Sequence, residues 1–279
     1  MKNLSMFCLS LYPGHLNNLK KINYIPVGLG NNNFNNDWVR DNTGNNISKK
    51  NKYYGEYTFH YWLWKNMIDN ISDNNWIGFC AYRRYWANSN DYKPGEIEKV
   101  INNNNFTKFV LKDIPSLWNN YETILVEPIP LGKIKLSKVI KNGGISSIIK
   151  NFRSFLAGNT TIKYHFDVFH GVGKIEKALS LLEKQEKYEF ADFLHKTSFN
   201  RENMFICRSK KIIKEYYRSI FNWLSKCEDI FGFNLNTWSE IRIYAFLAER
   251  YLSFWFNRYT RAKPWPIFFY DTNKHKLKL

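Results

Sequence analysis

The sequence has little of several features that mark large classes of protein. Its four cysteines, Cys8, Cys80, Cys207 and Cys227, include no Cys-x-x-Cys pair, so neither a disulfide framework nor a zinc pattern is indicated. No apolar run reaches the roughly 18 residues that a membrane-spanning helix needs. The opening segment MKNLSMFCLSLYPG lacks the small-residue cleavage site of a signal peptide and is better interpreted as a first strand. We therefore expect a cytoplasmic protein without a membrane span.

Acidic residues are also scarce. The chain has 24 Asp and Glu against 41 Lys and Arg, which gives a formal net charge of +17. A field of this sign favours anionic partners: nucleic acid, an anionic membrane surface or phosphate-bearing substrates. The shortage is most complete at residues 128–166, where there is no acidic residue at all. The basic residues of that segment are Lys133, Lys135, Lys138, Lys141, Lys150, Arg153 and Lys163.

Apolar and aromatic side chains are abundant. Hydrophobic residues make up 44% and aromatic residues 18% of the 279 residues, which excludes a disordered protein despite the many asparagines. This length is sufficient to bury a core in one large domain or two small ones. Because no repeat and no clear linker divides the sequence, we expect a single domain over residues 1–279.

The periodicity of apolar residues predicts that strands alternate with helices. Helices are predicted within 56–70, 174–195 and 209–230, and within 241–259 after a capping box at 237–240. Strands are predicted within 1–14, 76–86, 121–132 and 203–208. Such alternation is typical of an α/β fold with a mainly parallel central sheet flanked by helices, here with a helical C-terminal part.

Two polar stretches stand out between these elements. Residues 28–55 form a long Asn- and Gly-rich loop bounded by strong elements, and loops of that length are usually functional or disordered. Arg83 and Arg84 end the apolar strand that begins at Trp76, and they lie between Tyr82 and Tyr85. An ordinary strand end in solvent is the alternative interpretation of the arginine pair.

Five segments follow one another in an order that resembles a known family. They are DNTGNNISKKNKYYGEYTFHYWLWKN (41–66), IGFCAYRRYW (77–86), ETILVEPIP (122–130), NMFICRSK (203–210) and RIYAFLAERYL (242–252). The order resembles the uncharacterised glycosyltransferase-like domain family of bacterial capsular and exopolysaccharide biosynthesis proteins. The chain departs from that pattern at Ala81, where the family usually has His, and at Tyr57, where it usually has Leu. Residues 133–160 resemble an insertion.

The resemblance implies a GT-A-like single domain and a function. It implies a glycosyltransferase that moves a hexosyl or similar sugar from a nucleotide diphosphate donor, expected to be UDP-linked, to a capsular or other surface polysaccharide. The acceptor would be lipid-linked or an oligosaccharide. A sugar-phosphate transferase of the same kind of gene cluster is the alternative. A nucleic-acid-binding protein is disfavoured, because the chain has no helix-turn-helix, RNP-like or zinc pattern.

A departing nucleoside diphosphate builds negative charge that a metal ion or fixed cations must stabilise. Many GT-A-type transferases use an Asp-x-Asp motif to hold the metal, and this chain has no Asp-x-Asp. At the equivalent point it has Tyr82, Arg83 and Arg84. Because guanidinium groups match phosphate oxygens in bidentate geometry, we predict that the two arginines clamp the diphosphate without a metal and that Tyr82 contributes to donor binding.

The polar loop and the helix after it supply further candidate donor-binding residues. They are Thr43, Asn46, Ser48, Lys50, Asn51, Lys65 and Asn66. Short polar side chains and a cation suit sugar hydroxyls and ribose, whereas a solvated Asn-rich turn is the alternative. For Lys65 the alternative is a favourable position at the C-terminus of a helix.

Three residues are candidate catalytic groups. Asp41 is a carboxylate of the polar loop. Glu249 lies beside Arg250 in the apolar stretch AFLAERYLSFWF, where a buried charge has either a partner or a function. His170 lies in a predicted loop ahead of a helix, from which it can take a proton from an acceptor hydroxyl. An internal ion pair that braces the fold is the alternative for Glu249.

The acid-free segment at 128–166 is predicted to form a basic flap. Gly143 and Gly144 divide it into two amphipathic pieces, and its cations would meet a lipid-linked, phosphate-bearing acceptor at the inner face of the cytoplasmic membrane. The basic tail at 258–279 would cooperate. The alternative is an ordinary insertion whose apolar face packs on the domain.

Overall fold

The computed structural model describes residues 4–271, apart from the side chains of Trp238 and Ser239. The strands are β1 (Leu4–Ser10), β2 (Ile25–Gly28), β3 (Val39–Arg40), β4 (Trp76–Ala81), β5 (Arg84–Trp86), β6 (Thr123–Val126), β7 (Pro128–Pro130), β8 (Ser198–Asn200), β9 (Phe205–Cys207), β10 (Ala262–Trp265) and β11 (Ile267–Phe269). The helices are α1 (Leu16–Lys21), α2 (Asn51–Tyr54), α3 (Tyr57–Asn66), α4 (Glu96–Val100), α5 (Phe106–Phe109), α6 (Leu136–Lys150), α7 (Phe152–Leu156), α8 (Ile162–His170), α9 (Lys174–Leu179), α10 (Lys184–Phe193), α11 (Lys210–Phe231), α12 (Trp238–Ile241) and α13 (Ile243–Tyr259).

The central sheet is mainly parallel, as the sequence predicts. Its strand order is β10-β6-β9-β4-β1-β2-β3, and β5 pairs with β4 and β11. Strand β1 is parallel to β2 and β4, β2 to β3, and β6 to β10, whereas β9 is antiparallel to β4 and β6. Because β9 runs in the opposite direction, its N-terminal end lies at the edge where β1, β4 and β6 have their C-terminal ends.

The sheet is covered on both faces, which explains its apolar strands. Along β1, Phe7 and Leu9 face one core together with helices α3, α11 and α13. The alternate residues Met6 and Cys8 face a second core that includes residues of α1, α4 and α5. A strand buried on both faces is a continuous apolar run rather than an alternating one. The architecture is therefore an α/β sandwich of helices around one sheet, with a largely helical C-terminal part.

Two predicted helices are interrupted. The helix predicted within 174–195 is divided into α9 and α10, because the chain tightens at the end of α9. There the Leu181 N–H donates to Ala178 O at 3.2 Å, and Trp223 Nε1 donates to the same carbonyl at 2.8 Å. The helix predicted within 241–259 starts earlier, as the short α12, and its main part is α13. None of the helices in the described residues is long and apolar enough to cross a bilayer.

Two predicted strands are also divided. The one within 121–132 is β6 followed by β7, which leaves the central sheet and pairs with β8. The one within 76–86 is β4 and β5, and the hairpin pairs Ala81 with Arg84 so that Tyr82 and Arg83 form its turn. The arginine pair therefore lies at a sharp reversal of the chain.

The acid-free segment forms α6 and α7, which pack on α8. Gly144 has φ +62° and ψ −175° inside α6, so the predicted break at the glycine pair is present. Gly143 lies against α8: a Cβ there would come within 3.1 Å of Val168 Cα. The inward-facing residues are Val139 of α6 with Tyr164 and Val168 of α8.

Candidate active site

The C-terminal edge of the parallel strands gathers charged and aromatic residues from distant parts of the chain. In open α/β sheets ligands bind at this edge, outside the carboxyl ends of the strands. Tyr12 follows β1, Asp41 follows β3, and Arg83 follows β4. Glu202 precedes the antiparallel strand β9 and reaches the same edge. Tyr12, Arg83 and Glu202 define the candidate active site, and Asp41 lies at the same edge of the sheet.

Arg83 and Arg84 are held differently at the hairpin turn. The Arg83 guanidinium stacks on Tyr82 at 4.7 Å and lies 3.7 Å from Asp271 Oδ2, with 42% of its side chain exposed. Arg84 Nε lies 2.6 Å from Glu202 Oε2, and its guanidinium lies 5.3 Å from the centre of the Phe269 ring. Arg84 is thus fixed by a close ion pair, whereas Arg83 has a long one and an accessible guanidinium.

An aromatic group lies beside Arg83. The His15 ring is buried, 5.0 Å from the ring of Tyr12 and 5.2 Å from that of Tyr82. Ser10 Oγ donates to the Tyr12 carbonyl at 2.7 Å and holds the turn after β1. Sequence analysis missed Tyr12 and His15, although both follow the predicted first strand directly. Tyr82 is the ring that contacts the Arg83 guanidinium, and His15 lies against Tyr82.

The turn before β9 is strained and is held by Glu249. Glu202 and Asn203 have φ of +82° and +48°, in the left-handed region that costs a non-glycine residue on the order of 1 kcal/mol or more. The Glu202 N–H donates to Glu249 Oε1 at 2.9 Å, and Asn203 Nδ2 donates to Ala245 O at 3.4 Å. Such strain clusters at functional sites. Sequence analysis missed Glu202, although it directly precedes the motif that starts at Asn203.

The predicted pair of Glu249 and Arg250 is present and buried. Arg250 is 2% exposed, and its Nη1 lies 2.5 Å from Glu249 Oε2. Its Nη2 donates to His165 Nδ1 and to His170 Nε2, both at 3.3 Å. His170 is the last residue of α8 rather than part of a loop, because the helix continues to the turn at Gly171. The structure thus brings two of the three predicted catalytic residues, His170 and Glu249, to one guanidinium.

The buried guanidinium of Arg250 determines which ring nitrogen accepts a hydrogen bond in His165 and in His170. Burial, with the nearby charges of Arg250 and Arg201, lowers the pKa of His165 to about 3. Both rings accept from Arg250, which can only donate, and this puts the proton of neutral His165 on Nε2. Sequence analysis missed His165, since nothing in the sequence shows that α8 lies against α13.

The third predicted catalytic residue, Asp41, is buried at the start of α3. Thr58 Oγ1 donates to Asp41 Oδ2 at 2.6 Å. Burial raises the pKa of this carboxyl, although the Thr58 hydrogen bond and the charge of Arg40 oppose the shift. Asn51 Nδ2 donates to Thr58 Oγ1 and to Gly55 O, both at 3.0 Å. Asp41 and Asn51 therefore brace the entry to α3.

Most other predicted donor-binding residues are engaged within the loop and along α3. Trp62 Nε1 donates to Thr43 Oγ1 at 3.0 Å, and Ser48 Oγ donates to Asn46 Oδ1 at 2.7 Å. Asn66 donates to the Asn45 carbonyl at 2.8 Å. Since Asn66 follows Thr58 by eight residues, it lies about 12 Å farther along the helix. These side chains have hydrogen-bond partners within the loop and along α3.

The two predicted lysines of this region have other contacts. Lys50 Nζ lies 2.7 Å from Glu228 Oε2. The other oxygen of this carboxylate, Oε1, accepts a hydrogen bond from the hydroxyl of Tyr54. Lys65 Nζ lies 3.5 Å from the centre of the Trp64 ring. Among residues 4–271 no group of three His, Cys, Asp or Glu side chains is placed to hold a metal ion. Metal independence and the roles of these donor-binding candidates stay predictions.

A solved structure shares the fold of this chain. A solved apo structure of the WbbM bifunctional glycosyltransferase matches with a TM-score of 0.69 and 20% sequence identity, over 96% of this chain and 45% of that chain. The chain therefore spans less than half the length of that protein. At this identity the match shows the fold, which is α/β and GT-A-like. No curated protein matches the chain.

The family is shown by a separate match. The family model described as a domain of unknown function, DUF4422, matches residues 13–261. The chain belongs to the DUF4422 family. This match confirms the resemblance to a glycosyltransferase-like family that the five ordered segments indicate.

Proposed function

We propose that the protein is a glycosyltransferase that moves a hexosyl or similar sugar from a nucleotide diphosphate donor, UDP-linked by preference, to a glycan. The observation that carries the proposal is the accessible Arg83 guanidinium at the C-terminal sheet edge, which stacks on the ring of Tyr82. A cation next to aromatic faces suits a nucleoside diphosphate, which has one charged part and one flat part.

Arg83 and Arg84 would supply positive charge as the diphosphate leaves. Arg83 is accessible, and its stacking on Tyr82 limits the side-chain freedom that is lost on binding. Arg84 is already oriented by Glu202. A charge that is already in place, such as Arg83, stabilises developing charge at little cost of reorganisation. In this proposal the arginines take the place that an Asp-x-Asp metal site has in other transferases.

Glu202 is the carboxylate that we propose for the acceptor hydroxyl. Its side chain is 27% exposed, whereas both oxygens of Glu249 are engaged by the Glu202 N–H and by Arg250. His170 accepts from Arg250 through Nε2, so a base role would require that contact to open. A diphosphate that takes Arg84 would release Glu202 to accept a proton. Glu249 and Arg250 are then positioning residues for the strained turn.

The acceptor that we propose is a lipid-linked or oligosaccharide precursor of a capsular or other surface polysaccharide. The family resemblance supports this proposal, and the basic character of the chain agrees with a phosphate-bearing acceptor. The protein would act at the cytoplasmic face of the membrane as a peripheral enzyme.

A panel of nucleotide sugars tests the proposal. Incubation with each donor, followed by detection of the released nucleotide, should give nucleoside diphosphate with at least one of them. Release of nucleoside monophosphate would instead identify a sugar-phosphate transferase. Donor binding measured by calorimetry should be unchanged by EDTA, and loss of binding on chelation would contradict the arginine clamp. If no donor gives either turnover or binding, the whole proposal is contradicted.

A further inference from the structure

The α6–α7 surface, defined as the outward side of residues 136–156, exposes an unusual number of large apolar side chains. Six of the fourteen large hydrophobic residues exposed among residues 4–271 lie in these 21 positions. They are Leu136, Ile140, Ile145, Ile149, Phe152 and Leu156. They form three pairs with a spacing of four residues, so each pair lies on one side of its helix.

The fold uses a different part of α6 for packing. Val139, Gly143 and Ser147 are the buried residues of that helix, and they face α8. On the far side of Gly144, Ile145 and Ile149 are each 70% exposed. The alternative that the apolar face packs on the domain is thus true of one side only. Exposure of so many large apolar side chains within one short segment indicates an interaction site.

The same surface carries uncompensated positive charge. Lys135, Lys138, Lys141, Lys150 and Arg153 are all exposed, and none of them forms an ion pair in the part of the chain that the structure describes. The one basic residue of the segment that does so is Lys163, which pairs with Asp167 and Glu176. Because no acidic residue occurs between Glu127 and Asp167, the positive field is not offset locally.

We propose that the α6–α7 surface docks on a bilayer that contains anionic phospholipid. Aliphatic side chains on short helices insert at the boundary of headgroups and acyl chains, while lysines on the same helices extend to the lipid phosphates. A nucleic acid would use the cations but leave six large apolar side chains exposed to water. A protein partner would leave the cations without a defined counterpart.

The α6–α7 surface lies over α8, the helix that carries His170. Asn151, between α6 and α7, donates to Asp167 Oδ2 at 2.8 Å, and Asp167 Oδ1 accepts from the Gly173 N–H at 3.0 Å. Asp167 precedes His170 by less than one turn of α8. Docking would therefore hold the helix that carries His170 next to the lipid surface, where a lipid-linked acceptor would lie. Binding to lipid does not itself depend on the proposed transfer reaction.

Vesicle flotation of the full chain tests the charge component. We expect flotation with vesicles of phosphatidylglycerol and phosphatidylcholine, little flotation with phosphatidylcholine alone, and release as salt rises. Lys135→Glu, Lys138→Glu and Lys141→Glu together should weaken binding at least about tenfold. The matched control is Lys99→Glu, Lys184→Glu and Lys187→Glu, three exposed lysines elsewhere that undergo the same change of charge. Equal loss in both triple variants would overturn the proposal in favour of non-specific attraction.

A fluorescent label tests insertion. The native cysteines are all buried, so a dye reactive towards thiols will label a single introduced cysteine in the native protein. An environment-sensitive dye at Ile149→Cys should shift to the blue on addition of anionic vesicles and be quenched by a lipid-borne nitroxide. The control is Val100→Cys, whose native side chain is 57% exposed outside this surface. No shift at either position would contradict insertion.

Two further outcomes identify other occupants. If the wild type stays unbound with anionic vesicles at low salt, the membrane proposal is wrong. If the unbound protein then associates with itself in sedimentation, and Ile145→Ser with Ile149→Ser abolishes the association, a second copy covers the surface. Nucleotide release by an unbound protein would separate the failure of this inference from a failure of the proposed function.

Discussion

Two regions rich in polar side chains lie near the C-terminal edge of the sheet, and they use those side chains in opposite ways. In the loop at 41–51, Asp41, Asn46 and Asn51 make hydrogen bonds to their own neighbourhood or to α3. At the arginine turn, Arg83 has one long ion pair and Glu202 sits on a strained backbone. The comparison teaches that residue type alone does not define a binding site. Side chains that are already satisfied brace a fold, whereas accessible charges held in place are available to a ligand.

The largest effect on stability is expected at the buried ion pair of Glu249 and Arg250. Arg250→Met should lower the free energy of unfolding by about 3–5 kcal/mol, because it leaves Glu249 without its partner at 16% side-chain exposure. Urea unfolding measures the change. The double variant Arg250→Met with Glu249→Gln should lose less than the sum of the two single variants. Strict additivity would show that the pair does not act as a unit and would weaken the contrast with the loop.

The second prediction distinguishes a residue that binds the donor from one that only contacts its own helix. Arg83→Ala should weaken donor binding or lower kcat/KM by about 1.5–3 kcal/mol, equivalent to roughly 13- to 160-fold, since a charge-assisted contact is removed. The melting temperature should be nearly unchanged, because the Arg83 side chain is exposed. Lys65→Ala is the control: it also removes an exposed cation, but one that stacks on Trp64 near the far end of α3. A larger kinetic effect at Lys65 would reverse the comparison.

A third prediction concerns Glu202. Glu202→Gln should lower kcat, while donor affinity stays equal or rises, because Arg84 loses the carboxylate that competes with the diphosphate for it. Calorimetry with the donor and steady-state kinetics measure the two quantities separately. The isosteric amide keeps the main-chain contact of residue 202 to Glu249, so the strained turn should persist. A simultaneous loss of donor affinity would indicate that Glu202 only orients Arg84.

The sequence predicts the part of this arrangement that depends on local pattern. The alternation of apolar runs predicts the central sheet, Arg83 follows β4 as predicted although Arg84 begins a new strand, and the apolar neighbours of Arg250 predict its burial. The motif order also predicts the family match. These features are visible because each depends on neighbouring residues.

The rest depends on contacts between residues far apart in the chain. Arg250 meets His165 across 85 positions, and Trp223 helps to end α9 by bonding to a carbonyl 45 positions away. The engagement of Thr43 by Trp62 likewise requires the loop to fold back along α3. Lys274, Lys276 and Lys278 of the predicted basic tail lie outside the described residues. Arg258 and Arg261 of that tail are within them, and they pair with Glu189 and Glu122.

The smallest effect tests the bracing role of Asp41 through pH. Burial raises the pKa of this carboxyl in the folded state above the value of 3.8 expected when it is exposed. Between those two pKa values the folded state binds more protons than the unfolded state, so the stability that Asp41 contributes is complete below 3.8 and falls as pH rises through the folded pKa. Asp41→Asn keeps an oxygen that accepts from Thr58 but cannot ionise. The variant should therefore gain stability relative to the wild type as pH rises from 4 to 7, by less than about 1.4 kcal/mol for each pH unit. Urea unfolding of both proteins over this range, with donor affinity measured in parallel, gives the answer. A difference that stays constant with pH, or a large loss of donor affinity, would move Asp41 from the bracing loop to the binding site.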